Sequence, residues 1–114
     1  MTSETNLKIL RILESNPQMK QRELSITLGV SLGKVNFCLR ALKEKGFLKW
    51  QNFSKNSDKS IYLYLLTPAG IIEKSQLTAY FLKKKQAEYD SLKAEIDSLM
   101  LDDINNKNIN LVQE

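Results

Sequence analysis

Two short amphipathic helices with almost no chain between them constrain this sequence most. Leu24, Ile26 and Leu28 supply an apolar face for a helix from about Gln21 to Leu28. Gly29 stops it, offering the left-handed conformation that a helix end commonly uses. Ser31 can then cap a further helix by accepting a bond from a first-turn amide. Along that helix Val35, Cys38, Leu39 and Leu42 fall at i, i+3, i+4 and i+7, one apolar stripe. Gly46 closes it, and Lys43 and Lys45 suit the negative end of the helix dipole. With only Gly29, Val30 and Ser31 between them, the two helices form a helix-turn-helix pair.

The flanking segments complete the fold. Leu7, Ile9, Leu10, Ile12 and Leu13 predict a first helix from about Thr5 to Ser15, ended by Asn16-Pro17 because a residue before proline leaves the α region. After Gly46, Phe47 to Phe53 reads as a strand with Leu48 and Trp50 on one face. A polar turn from Ser54 to Lys59 leads into a second strand in which Ile61, Leu63 and Leu65 alternate with Tyr62 and Tyr64. Three helices and a hairpin make a winged helix. Thr67 and Pro68 then open a fourth helix as N-cap and first helical residue, continuing to about Leu101, roughly 50 Å at 1.5 Å per residue. The fold class is thus mainly α with a small β-hairpin: a winged helix-turn-helix domain (1–66), a C-terminal dimerisation helix (67–101) and a flexible tail (102–114) rich in asparagine.

Charge and composition narrow the function. The net charge is +4, but residues 1–66 carry 11 Lys and Arg against 5 acids while residues 67–114 carry 6 against 8. The basic half is the one to test against a polyanion. Histidine is absent and Cys38 is the single cysteine, so no intrachain disulfide, no His/Cys metal site and none of the usual nucleophile–base pairs is expected. No catalytic residue, metal or cofactor is assigned. The N-terminus has no signal-peptide pattern and no apolar run spans a bilayer, which makes the expected compartment the cytoplasm.

At about 100° per residue, a third helix that buries Val35, Leu39 and Leu42 presents Gly33, Asn36, Phe37 and Arg40 on its other side, with Lys34 on the flank. An α-helix fits the major groove of B-DNA, where Arg40 can bond guanine, Asn36 adenine, and Phe37 a thymine methyl. Phe37 could equally pack under the wing. Gly33 permits close backbone approach, Ser31 and the first-turn amides suit a phosphate, and Lys34 makes a phosphate contact. Lys55, Asn56 and Lys59 at the hairpin tip are placed on neighbouring backbone and minor groove. Cys38 lies in the apolar stripe and reads as a small buried hydrophobe.

The long helix has its own task. Tyr89, Leu92, Ile96 and Leu99 are spaced 3, 4, 3, a coiled-coil seam, and Leu77 and Phe81 extend the apolar face toward the domain. Double-stranded DNA and a second copy of the chain are the expected partners. A protein-binding winged helix, docking through Phe37, Trp50 and the tyrosines, is the alternative; an enzyme is the least supported class.

These residues resemble the MarR family of transcriptional regulators. The passage from Leu24 to Ser31 is similar to the family's turn between helices, Lys45-Gly46-Phe47-Leu48 to its entry to the wing, and Ser57-Asp58-Lys59-Ser60 to its wing pattern. Leu66-Thr67-Pro68-Ala69-Gly70 matches its strand-to-helix junction closely, and Ser31 to Asn36 resembles the subgroup of exopolysaccharide-associated regulators. The resemblance implies DNA-dependent regulation by a homodimer, and a small-molecule effector held between the dimerisation and DNA regions. Almost nothing precedes the first helix here, whereas family members have an extra one; that departure argues against the effector pocket and puts the dimer mainly on the last helix.

Overall fold

The computed structural model describes residues 2–52 and 62–113. The elements run α1 (Thr2–Ser15), α2 (Gln21–Leu28), α3 (Leu32–Glu44), β1 (Leu48–Asn52), β2 (Tyr62–Leu66) and α4 (Pro68–Gln113). They fall into two compact units, one up to Ala79 and one from Tyr80.

In the first unit, α1, α2 and α3 enclose a core closed on one side by the hairpin. Ile9, Leu10 and Leu13 of α1 meet Leu24 of α2, Val35, Cys38, Leu39 and Leu42 of α3, and Leu48 and Tyr64 of the strands. Burial of these apolar surfaces is the main term holding so small a domain together. Ile26 does not join them. It is 76% exposed, because two residues beyond Leu24 a helix has turned to the opposite side.

The helix ends follow local chemistry. Gly29 adopts φ 66°, and the bonds Gly29 N–H to Ile26 O and Val30 N–H to Ser25 O terminate α2. Gly46, at φ 80°, does the same for α3, with Gly46 N–H donating to Lys43 O and Phe47 N–H to Leu42 O. β1 and β2 are antiparallel, with Leu48 opposite Leu66 and Trp50 opposite Tyr64, so these four share a face. The inward members of β2 are therefore Tyr64 and Leu66, while Leu63 and Leu65, on the other face, are only half-buried. Tyr64 N–H also donates to Pro17 O at 2.9 Å, tying β2 to the segment after α1.

α4 begins against the end of α3. Thr67 Oγ1 accepts the Gly70 N–H at 3.0 Å, the N-cap bond, and its hydroxyl donates to Gly46 O. Thr67 N–H donates to Phe47 O at 3.0 Å. Gly70 is required by this approach: a Cβ there would lie 2.0 Å from the Phe47 carbonyl oxygen. Lys74 pairs with Glu14 at 2.5 Å, and Leu77 packs on the core.

The second unit is the remainder of α4. The helix runs on through 102–113, where the sequence reads as a flexible tail. Local pairs support it: Lys107 lies 3.0 Å from Asp103, one turn back, and such a pair adds a few tenths of a kcal/mol. Tyr89, Leu92, Ile96 and Leu99 are all exposed. Leu77 and Phe81, read from the sequence as part of the same seam, differ from them. Leu77 belongs to the core of the first unit, and Phe81 is buried, with Tyr80 edge-on to its ring.

Candidate nucleic-acid interface

The orientation of α3 decides what this domain can touch. Ser31 is extended and accepts the Lys34 N–H at 3.1 Å, fixing the start of the helix. Val35, Cys38 and Leu39 are 0% exposed and Leu42 1%, so the stripe faces the core. The opposite side is open. Phe37 is 64% exposed, and Arg40, Gly33 and Lys34 are exposed beside it. The Phe37 ring is thus left mostly to solvent by the described residues instead of being covered. A Cβ on Gly33 would meet nothing within 4 Å, so packing inside the chain does not demand glycine there.

Asn36 is placed differently. It is half-buried, and its Nδ2 donates to Gln21 Oε1 at 3.2 Å. Gln21 Nε2 in turn donates to the Tyr64 hydroxyl at 3.4 Å. Asn36 therefore stands at the edge of the outward face, anchored to α2, and is not free-standing like Arg40. The sequence reading missed Gln21 and Tyr64 because partners 15 and 43 residues apart leave no local signal. It also missed Glu44, which continues the outward face of Phe37 and Arg40 and is exposed. The same 100° arithmetic, carried one turn further, finds it.

The same unit carries a set of exposed cations. Lys20 and Arg22 at the start of α2, Lys34, Arg40, Lys43 and Lys45 on or just after α3, and Lys49 on β1 are all exposed. Lys43 also lies over the Trp50 ring, 4.4 Å from its centroid, while Trp50 and Tyr64 meet edge-to-face at 5.6 Å. Arg40, Lys43, Glu44 and Trp50 line a shallow surface concavity. Burial pushes the Cys38 thiol up from its ordinary value, and the charge of Lys34 opposes this only in part. A thiol so placed is a packing group. Lys55, Asn56 and Lys59 lie outside the described residues, as does Ile61.

Among the described residues no group of acids and cysteine could hold a metal ion, and no helix is long and apolar enough to cross a membrane. What the face offers is a helix with an aromatic ring and an arginine projecting from it, amid exposed cations.

Helix-turn-helix, hairpin and outward face together define a winged helix-turn-helix protein, and residues 2–49 match the family model described as winged helix-turn-helix DNA-binding. Solved structures share the fold. The PcaV transcriptional regulator of Streptomyces coelicolor is 19% identical, with a TM-score of 0.68 over 90% of this chain and 74% of that one. A MarR/EmrR family transcriptional regulator from Acinetobacter is 21% identical, with a TM-score of 0.65 over 94% and 74%. MarR of E. coli, in its apo form, is 26% identical, with a TM-score of 0.54 over 63% of this chain. This chain spans only 52% of that structure's length. No curated protein matches it in sequence.

Proposed function

We propose that this protein is a sequence-specific double-stranded DNA-binding transcriptional regulator that acts as a homodimer. One observation carries the reading: the apolar stripe of α3 is buried while Phe37 and Arg40 stand out from its other side. The exposed Phe37 ring has an apolar surface to offer to a contact such as a thymine methyl. Arg40 has the fork that matches the O6 and N7 of guanine. The capped start of α3, with Ser31 and Lys34, suits a phosphate, as do the exposed cations of α2 and β1.

Two of the structural neighbours, PcaV and the Acinetobacter protein, are transcriptional regulators, which agrees with this reading. The exposed seam Tyr89, Leu92, Ile96 and Leu99 supports pairing of two chains through α4. A dimer would read two half-sites on one face of the duplex, about 10 bp or a multiple apart. Control of exopolysaccharide genes rests on the resemblance of Ser31 to Asn36 alone.

The test is binding of sheared genomic fragments over a salt series. Affinity falls by roughly a thousandfold or more between about 50 and 200 mM salt when six or more phosphates are neutralised. A flat salt response sinks the proposal. Failure to retain DNA, together with a protein partner lost on Phe37→Ala but kept on Arg40→Ala, would make this a protein-docking module instead.

A further inference from the structure

Asn36 is tied from behind. Its Nδ2 donates to Gln21 Oε1, and Gln21 Nε2 donates to the Tyr64 hydroxyl. Tyr64 is a fixed end to this relay. It is 5% exposed, its N–H is bonded to Pro17 O, and its ring is set edge-on against Trp50. Three elements are thus linked in one relay that ends on a side-chain amide at the rim of the outward face: β2 through Tyr64, α2 through Gln21, and α3 through Asn36 itself.

An asparagine reads adenine with its oxygen and one N–H, which accept from N6 and donate to N7. The amide carries a second N–H, and that proton can go elsewhere without weakening the pair. In this structure it goes to Gln21. An untethered asparagine would have to select one rotamer and one amide orientation on meeting the base, at a cost in entropy. Here that selection is made in the free protein.

We infer that Gln21 is a positioning residue for base readout, holding the Asn36 amide with its oxygen and one N–H directed outward, the pair that fits an adenine edge. This rests on α3 being the element that enters the major groove. Gln21 need not touch the base; it acts through Asn36.

The experiment selects bound duplexes from a randomised double-stranded DNA pool with the full chain, sequences them, and repeats this for Gln21→Ala, Gln21→Glu, Asn36→Ala and the double variant Gln21→Ala/Asn36→Ala. Wild type prefers adenine at one position per half-site by roughly five- to a hundredfold, the range of a bidentate contact. Gln21→Ala flattens that position alone and leaves the rest of the motif and the salt slope as they were. Adding Asn36→Ala flattens it no further. Gln21→Glu presents only acceptors to Asn36, so it keeps the adenine preference even as its added charge weakens overall binding. A purely structural role would instead lower the thermal midpoint and weaken every position alike. The inference is overturned if Gln21→Ala retains the adenine preference, if Gln21→Glu loses it, or if wild type selects guanine where Asn36 reads. Enrichment of no motif by wild type would overturn the DNA reading itself, a distinct result.

Discussion

Replacing Gly70 with alanine separates two opposed expectations about the same residue. By helix propensity alone, alanine in the first turn of α4 is the better residue, by as much as about 1 kcal/mol. The packing says the reverse. The new Cβ would stand 2.0 Å from the Phe47 carbonyl oxygen, 2.9 Å from its carbon and 3.2 Å from its Cα. Since real Cβ atoms essentially never approach closer than 3.0 Å, the start of α4 and the Gly46–Phe47 peptide must part by at least about 1 Å. Overpacking of this kind costs about 1–3 kcal/mol. The same shift loosens the bonds from Thr67 N–H to Phe47 O and from the Thr67 hydroxyl to Gly46 O, each worth about 1 kcal/mol. Set against the propensity gain, the net loss is at least about 2 kcal/mol, which lowers the midpoint by about 8–16 °C for a domain of this size. Thermal unfolding followed by circular dichroism, at one fixed protein concentration, measures it. An unchanged or higher midpoint for Gly70→Ala would refute the packing account of this junction.

Three further positions, Ser31, Cys38 and Ile96, give checkable outcomes. Ser31→Ala removes the oxygen that accepts the Lys34 N–H and costs about 1 kcal/mol in urea unfolding, whereas Ser31→Asp retains most of the stability. The raised pKa of Cys38 makes its thiol slow to alkylate at neutral pH. That shift also makes stability complete below the thiol's ordinary value of 9.0 and lost as pH climbs toward the folded-state value, because the unfolded chain gives up its proton first; Cys38→Ala should remove this alkaline slope in denaturant titrations. Ile96→Asp puts a charge into the exposed seam of α4 and should give monomers in sedimentation velocity, while persistence of dimers would place the contact elsewhere.

What the sequence made legible was whatever repeats at short range. The stripe Val35, Cys38, Leu39 and Leu42, the Ser31 cap and the glycines at 29 and 46 each need only neighbours within a turn or two, and the burial of that stripe follows from its period. Ile26 is apolar yet exposed, because membership of the buried face depends on its angle from Leu24 as well as on its character. Gly70 could be recognised as part of a motif, but its reason is a backbone from another element, Phe47, passing where a methyl would sit. The Asn36–Gln21–Tyr64 relay had no local trace, so Asn36 read as free when it is anchored. Leu77 and Phe81 show a similar limit, since apolar spacing along α4 does not say which residues are already covered within the chain.

Trp50 is the chain's single indole, and it stands under the Lys43 ammonium and against the Tyr64 ring. All tryptophan emission therefore comes from one place, between α3 and the hairpin, while far-ultraviolet ellipticity also collects signal from the residues of α4 beyond Tyr80. The molecule thus has two optical channels of different reach without any label. Melting watched at both wavelengths distinguishes loss of the core from fraying of the long helix, and any change of tryptophan emission during a titration reports on the surroundings of Trp50 alone.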